Sequence, residues 1–234
     1  MAYFGLKPMK LRIFWFLILL IAPAKSALSA ESNLVLSSWL STQTNIHTWA
    51  ADVVQTRTFK TLTQPLVERG RVWFAEPDRF RWELGNPAKM IAVHSRSEML
   101  LIYPMLKKVE RYPLNADTPG PWREMMKLLE AGFPRSEAEI TSRFRILSQK
   151  VTNDIGEVVL QPQSSAARKL MPQMQIGFDL KNSTLRSTEL VLADGSRMRN
   201  DFKDPVLNPT VDENLFSPEI PSDFKVSEPL KQQR

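Results

Sequence analysis

The stretch Gly70–Tyr112, GRVWFAEPDRFRWELGNPAKMIAVHSRSEMLLIYPMLKKVERY, is a run of short strands cut by turn residues. Successive side chains of a strand point to opposite faces, and Arg79 to Leu84 alternates strictly. Phe80, Trp82 and Leu84 therefore share one face, and Arg79, Arg81 and Glu83 the other. Val72 and Phe74 are also spaced by two, and Pro77-Asp78 supplies the turn between the two strands. Ala88–His94 and Met99–Tyr103 are apolar on both faces, a pattern that requires cover on each side. The reading is an antiparallel meander with one greasy face, and function is expected on that face.

Strands continue outward from this centre. Upstream lie Thr48–Phe59, rich in β-branched and aromatic residues, and Glu68–Ala75, separated by a loop at Thr61–Pro65. Downstream come Lys107–Tyr112, Phe144–Asn153, Glu157–Gln161, Met174–Asp179, Leu185–Leu192 and Arg197–Phe202, with a last short strand near Phe224–Val226. Asp154-Ile155-Gly156, Lys181-Asn182-Ser183 and Asp194-Gly195 read as tight turns. Helical spacing occurs twice. Ser32–Gln43 places Leu36, Trp39 and Leu40 on one side. After the loop Pro113–Pro121, the segment Trp122–Glu130 does the same with Trp122, Met125, Met126 and Leu129, and Gly132 is a stop. Ser136 and Glu139 have capping-box spacing. About eleven antiparallel strands with two helical insertions are expected. A sheet this large curls, so its apolar concave face needs a plug, and the two amphipathic helices can provide it.

Composition narrows the chemistry. The 234-residue chain has no cysteine, which removes disulfides, thiolate nucleophiles and a lipobox cysteine. Lys7, Lys10 and Arg12 precede the apolar run Ile13–Ala22, and small residues follow at Ala24, Ser26, Ala27, Ser29 and Ala30. This is the layout of a secretory signal peptide over residues 1–30, and the run is short of the roughly 20 residues a membrane span needs. Removing its four cations, Lys7, Lys10, Arg12 and Lys25, takes the formal net charge from +6 to +2. The remaining Lys and Arg are interspersed with acids, so nucleic acid is not an expected partner. There is no G-x-S-x-G elbow, HExxH pair, calcium loop or P-loop, and no cofactor or metal is expected. With His47 and His94 the only histidines, each read as a surface or turn residue, an enzyme is not expected.

The candidate site is thus a cavity for apolar ligand. Its expected lining is Val72, Phe74, Phe80, Trp82, Leu84, Leu101 and Tyr103, and its expected lid Leu36, Trp39, Leu40, Trp122, Met125, Met126 and Leu129. Methionine suits such a lid because it repacks around variable partners. Arg79 and Arg81 admit two readings: solvated side chains on the convex face, as the alternation implies, or guanidinium forks that latch the lid through loop carbonyls.

Several segments together resemble the LolA family of outer-membrane lipoprotein carriers. They are Asp52-Val53-Val54-Gln55, Gly70-x-Val72-x-Phe74, Pro77-x-Arg79-Phe80-Arg81-Trp82-Glu83, Tyr103-Pro104 and Val109, with Asn208, Phe216, Pro218, Pro221 and Phe224-x-Val226 near the end. The resemblance implies an incomplete β-barrel closed by an α-helical lid over residues 31–228, followed by a C-terminal tail at 229–234. It implies a monomeric periplasmic shuttle, soluble after signal cleavage, that receives acylated lipoprotein or other lipid cargo from an inner-membrane export complex and passes it to an outer-membrane acceptor. One departure stands out. Where family members carry a basic, lid-holding residue before the motif's proline, this chain has Glu76. A dedicated glycolipid-export carrier, or a lipid-sensing regulatory domain of the envelope, is the alternative expectation.

Overall fold

The computed structural model describes residues 36–95, 97–114 and 136–230. The segment that decides the fold pairs as its alternation dictates. Strand β2 (Leu66–Ala75) sets Val72 opposite Trp82 and Phe74 opposite Phe80 of β3 (Arg79–Leu84). Strand β4 (Met90–His94) then sets Ala92 opposite Trp82, and β5 (Glu98–Tyr103) sets Leu101 opposite Ala92. One face therefore carries Val72, Trp82, Ala92 and Leu101 in a cross-strand row, the unit of side-chain stabilisation in sheets.

The remaining strands are β1 (Thr48–Thr58), β6 (Lys108–Pro113), β7 (Phe144–Thr152), β8 (Ile155–Pro162), β9 (Gln173–Asp179), β10 (Leu185–Val191), β11 (Arg197–Leu207) and β12 (Lys225–Ser227). Among the described residues they form one twelve-stranded sheet in the order β12-β6-β5-β4-β3-β2-β1-β11-β10-β9-β8-β7. The sheet is open: β7 and β12 are its two edges and do not pair with each other. The sequence reading of a mainly β, incomplete barrel is thus the observed architecture, with one strand more than the expected eleven.

Two local features depart from the reading. The sequence reading ends the last long strand at Phe202; β11 instead runs to Leu207, past Asp204-Pro205. It tolerates the proline through a bulge, with a register shift against β1 between Ala50 and Asp52 and Asp204 in the left-handed region at φ 47°. An extra residue in one strand of a pair frees the proline from the ladder it cannot join. The final strand, β12, is parallel to β6 rather than antiparallel. Parallel pairing needs a long crossover, and the stretch from Asn208 to Phe224 provides it across the outer face. There Ile220 and Phe224 pack on Val93, Leu100, Ile102 and Val109. That is the second cover that the two-faced apolar strands required.

The inner face is filled at one end by helices. Helix α1 (residues 36–43 of the described chain) buries Leu36, Trp39 and Leu40 against Trp49, Phe74 and Phe178. The Trp39 ring stacks on Phe178 at 4.4 Å, and its Nε1 donates to the Ser183 carbonyl at 3.0 Å. Helix α2 (Glu137–Arg143) starts as its capping box predicts, Ser136 Oγ accepting from the Glu139 amide. A third helix, α3 (Ser165–Leu170), was not read from the sequence. It has an N-cap in Ser164 and two cations, Arg168 and Lys169, in its last turn, but only six residues. Such a length gives too little periodicity to detect. The expected signal segment 1–30 and the expected helix Trp122–Glu130 lie outside the described residues.

Candidate functional site

Among the described residues, the other end of the inner face is not filled. A cavity of about 230 Å³ lies between β3–β5 on one side and β9–β11 on the other. Phe80, Trp82 and Leu101, all expected on the lining, form one wall. Trp82 also meets Phe202 of β11 edge-on at 5.8 Å, so the two walls touch at the cavity floor. Val72, Phe74 and Leu84 face the same way but belong to the packed core beside the cavity, with Leu36, Trp39 and Leu40. Tyr103 lies at the far end of β5, half-buried, with the Lys108 ammonium 5.9 Å from its ring centre. The expected lid residues Trp122, Met125, Met126 and Leu129 lie outside the described residues.

What the sequence reading missed is the opposite wall and the adaptable residues of the cavity as a whole. Met90, Met99, Met174 and Met198, from β4, β5, β9 and β11, all line the cavity. Thioether side chains are unbranched and polarisable, and they fill irregular gaps that other apolar groups leave. The available signal was spacing by two: Met198, Asn200 and Phe202 alternate, as do Thr188 and Leu190. Alternation identifies a face but not which distant strand it meets. A polar row crosses this wall, with Gln55 Nε2 donating to Asn200 Oδ1 at 3.0 Å and Asn200 Nδ2 donating to Thr188 Oγ1 at 3.1 Å.

His94 requires a correction. Read as a surface or turn residue, it is buried on the inner face, because the register sets it opposite Phe80 and Met99. Its ring stacks on Phe80 at 5.1 Å, and its Nδ1 donates to the Asp78 carbonyl at 2.5 Å. His47 is exposed, with Nδ1 2.6 Å from Glu76 Oε2. Glu76 is thereby engaged at the α1–β1 turn. The same turn is clamped by Asn208, whose Oδ1 accepts from the His47 amide at 2.8 Å and whose Nδ2 donates to the Asn45 carbonyl at 2.9 Å.

Arg79 and Arg81 project from the outer face of β3 to a 3-10 turn at Glu213–Phe216. Arg79 pairs with the Glu213 carboxylate and lies 5.0 Å over the Phe216 ring. Arg81 donates to the Leu215 carbonyl at 3.1 Å and to Glu83 at 2.6 Å. At the edge of the inner face, Glu110 accepts from Lys108 Nζ at 2.6 Å and from Tyr112 Oη at 2.9 Å. The Lys108 hydrogen bond holds the Glu110 carboxyl below its ordinary range, and burial pushes the Tyr112 phenol upward. Leu230 packs beside these groups, against Ala92, Met99 and Tyr112. Among the described residues no cluster of three or more His, Cys, Asp or Glu is arranged to hold a metal ion. No helix of the described residues is long and apolar enough to cross a membrane.

The molecule is thus a curled open sheet with an apolar hollow on its inner face and a strap across its outer face. The sequence matches the family model for the outer membrane lipoprotein carrier protein LolA over residues 44–219. The chain belongs to the LolA family. It is 26% identical over 155 residues to an outer-membrane lipoprotein carrier protein of Chromohalobacter salexigens, covering 65% of this chain and 67% of that one. Among solved structures it is similar to an uncharacterized conserved protein from Thermus thermophilus, with TM-score 0.49, 11% identity, and coverage of 85% of this chain and 99% of that one. It is also similar to a putative outer membrane lipoprotein-sorting protein domain from Vibrio parahaemolyticus, with TM-score 0.43, 12% identity, and coverage of 80% and 97%.

Proposed function

We propose that the protein is a periplasmic carrier that shelters acyl chains of a lipoprotein or related lipid in this hollow and shuttles them from the inner to the outer membrane. The observation that carries the reading is the apolar cavity under Trp82, with four methionines on its walls. Burying each methylene is worth about 0.8 kcal/mol, so a 16-carbon chain gains on the order of 10 kcal/mol on leaving water. No catalytic group is needed for that; an apolar hollow suffices.

Release is the harder part of carrying, and the cavity's size addresses it. Its 230 Å³ is below the roughly 300–1,000 Å³ of ordinary ligand pockets, so a long chain enters only as Met90, Met99, Met174 and Met198 move aside. Cargo therefore displaces contacts that the empty protein makes with itself, which offsets part of the transfer gain. The bound lipid is then held loosely enough to be handed on, since net affinity is a difference between two states of the carrier. An inner-membrane export complex as donor and an outer-membrane acceptor complete the proposed route.

The deciding experiment is to purify the protein from the periplasm of its own cells, extract it with organic solvent and identify co-purifying lipid by mass spectrometry. Acylated species in near-stoichiometric amount are expected. Extracts free of acyl lipid, together with no uptake of added acyl lipid by the purified protein, would overturn the reading.

A further inference from the structure

The polar row on the cavity wall does not belong in a merely oily hollow. Gln55, Asn200 and Thr188 are only 6%, 5% and 7% exposed, and all three line the cavity. Register places them side by side on adjacent strands, Gln55 opposite Asn200 and Asn200 opposite Thr188. Along the same face most neighbouring rungs are apolar, Val53 beside Gln55, Met198 and Phe202 beside Asn200, and Leu190 beside Thr188; the exception is half-buried Arg57, the next rung of β1, which also lines the cavity. Burying amides and a hydroxyl costs free energy unless their hydrogen-bonding capacity is used.

That capacity is only partly used. Each amide has two N–H donors and spends one along the row, and Thr188 accepts from Asn200 while its own hydroxyl proton meets no acceptor among the described residues. Trp82 Nε1, on the facing wall, is buried and likewise has no partner among the described residues. Donors in series polarise one another in a low-dielectric site. The cavity thus presents spare N–H and O–H donors, with the Arg57 guanidinium beside them, in a largely apolar environment, and what they lack is an acceptor.

We infer that the Gln55–Asn200–Thr188 row, with the Trp82 indole, is a seat for the carbonyl oxygen that links an acyl chain to its headgroup, as an ester or an amide. The inference rests on the carrier reading and specifies its ligand. A carbonyl drawn into the hollow loses its water, and these donors replace it, whereas an ether-linked or plain alkyl chain gains nothing from them. The row therefore selects for acylated cargo over other greasy molecules and fixes how far the chain slides in.

The test is displacement of N-phenyl-1-naphthylamine from the full-length mature protein by three matched lipids: 1-monopalmitoylglycerol (ester), N-palmitoylethanolamine (amide) and 1-O-hexadecylglycerol (ether). The ester or the amide is expected to displace the dye at roughly three- to tenfold lower concentration than the ether, the range one net hydrogen bond supplies. The better of the two identifies the linkage. Thr188→Val, which keeps the side-chain shape, is expected to change the advantage of the ester and amide over the ether, and an unchanged advantage overturns Thr188's part in the seat. Equal displacement by all three lipids on the wild type overturns the carbonyl seat while leaving the carrier reading standing. Displacement by none overturns the carrier reading and the seat with it.

Discussion

The guanidinium of Arg79 lies over the ring of Phe216, 5.0 Å from its centre, although 137 positions separate the two in sequence. With the Arg79–Glu213 pair and the bond from Arg81 to the Leu215 carbonyl, this contact rivets the C-terminal strap to the outer face of β3. The motif pair that reads as a latch candidate in the sequence holds the strap in the structure.

The strap is therefore expected to be sensitive at Phe216. Phe216→Ala removes a ring that is 3% exposed and should cost about 3–5 kcal/mol, as large-to-small core changes do. Arg79→Lys keeps the charge but loses the flat fork, and should cost about 0.5–1 kcal/mol, of the order of an exposed cation–π contact. Urea denaturation followed by tryptophan fluorescence checks both, and equal midpoints for Phe216→Ala and wild type would refute the rivet.

Gly156 has no side chain because Phe178 occupies the space. A Cβ there would overlap the Phe178 ring, the same ring that stacks under Trp39. Gly156→Ala should push Phe178 out of line and loosen α1, costing about 1–3 kcal/mol as overpacking does. Near-UV circular dichroism should lose intensity from the Trp39–Phe178 stack, and an unchanged spectrum with unchanged stability would show that the ring has room to retreat.

Trp82→Glu places a carboxylate in the cavity floor. Acyl-lipid binding should fall by at least about tenfold, because a buried charge must be desolvated or protonated. Retention of wild-type affinity by a folded Trp82→Glu protein would remove the cavity from the carrier's mechanism.

Leu230 occupies the apolar surface next to the cavity, against Ala92 and Met99. Leu230→Ser should uncover that surface and raise the fluorescence of an apolar dye with the empty protein. A decrease, or no change, would mean that Leu230 guards nothing the dye can reach.

Acid should destabilise the fold along a specific limb. Glu110 and Asp194 are held below their ordinary values of 4.5 and 3.8, Glu110 chiefly by the hydrogen bond from Lys108 and Asp194 by those from the Ser196 amide and hydroxyl. Groups lowered in the folded state bind protons more readily when unfolded. Their contribution is present above the ordinary carboxylate range and is lost as pH falls through the folded values. The melting temperature should be flat from neutrality to about pH 5 and drop below it. Glu110→Gln should make that drop shallower, and an unchanged acid limb would assign it to other carboxylates.

The half of the site built from local pattern was legible. Alternation alone put Phe80 and Trp82 on one face, whereas Met99–Tyr103, apolar on both faces, gave no such signal for Leu101; the need for cover on both faces of β4 and β5 anticipated a second layer, though not which segment supplies it. The other half was not legible, because Met198, Asn200 and Phe202 reach the cavity only through pairing of β11 with β1, about 145 residues earlier in the chain. Period two fixes a face; long-range register fixes its neighbours, and no local rule encodes that. His94 shows the same limit. Its place before a turn suggested solvent, and its cross-strand partner Phe80 put it inside.

On the proposed carrier function, the unpaired edges β7 and β12 bear on how much cargo the protein can take. A hoop of strands stitched all the way round has a circumference set by its count of hydrogen-bonded ladders. A hoop with a slit can widen like a cuff, by changing sheet twist without breaking a rung. Cargo bearing one tail or several can then share the same wrapper, and loading is expected to spread the two edge strands apart before any interior bond is lost.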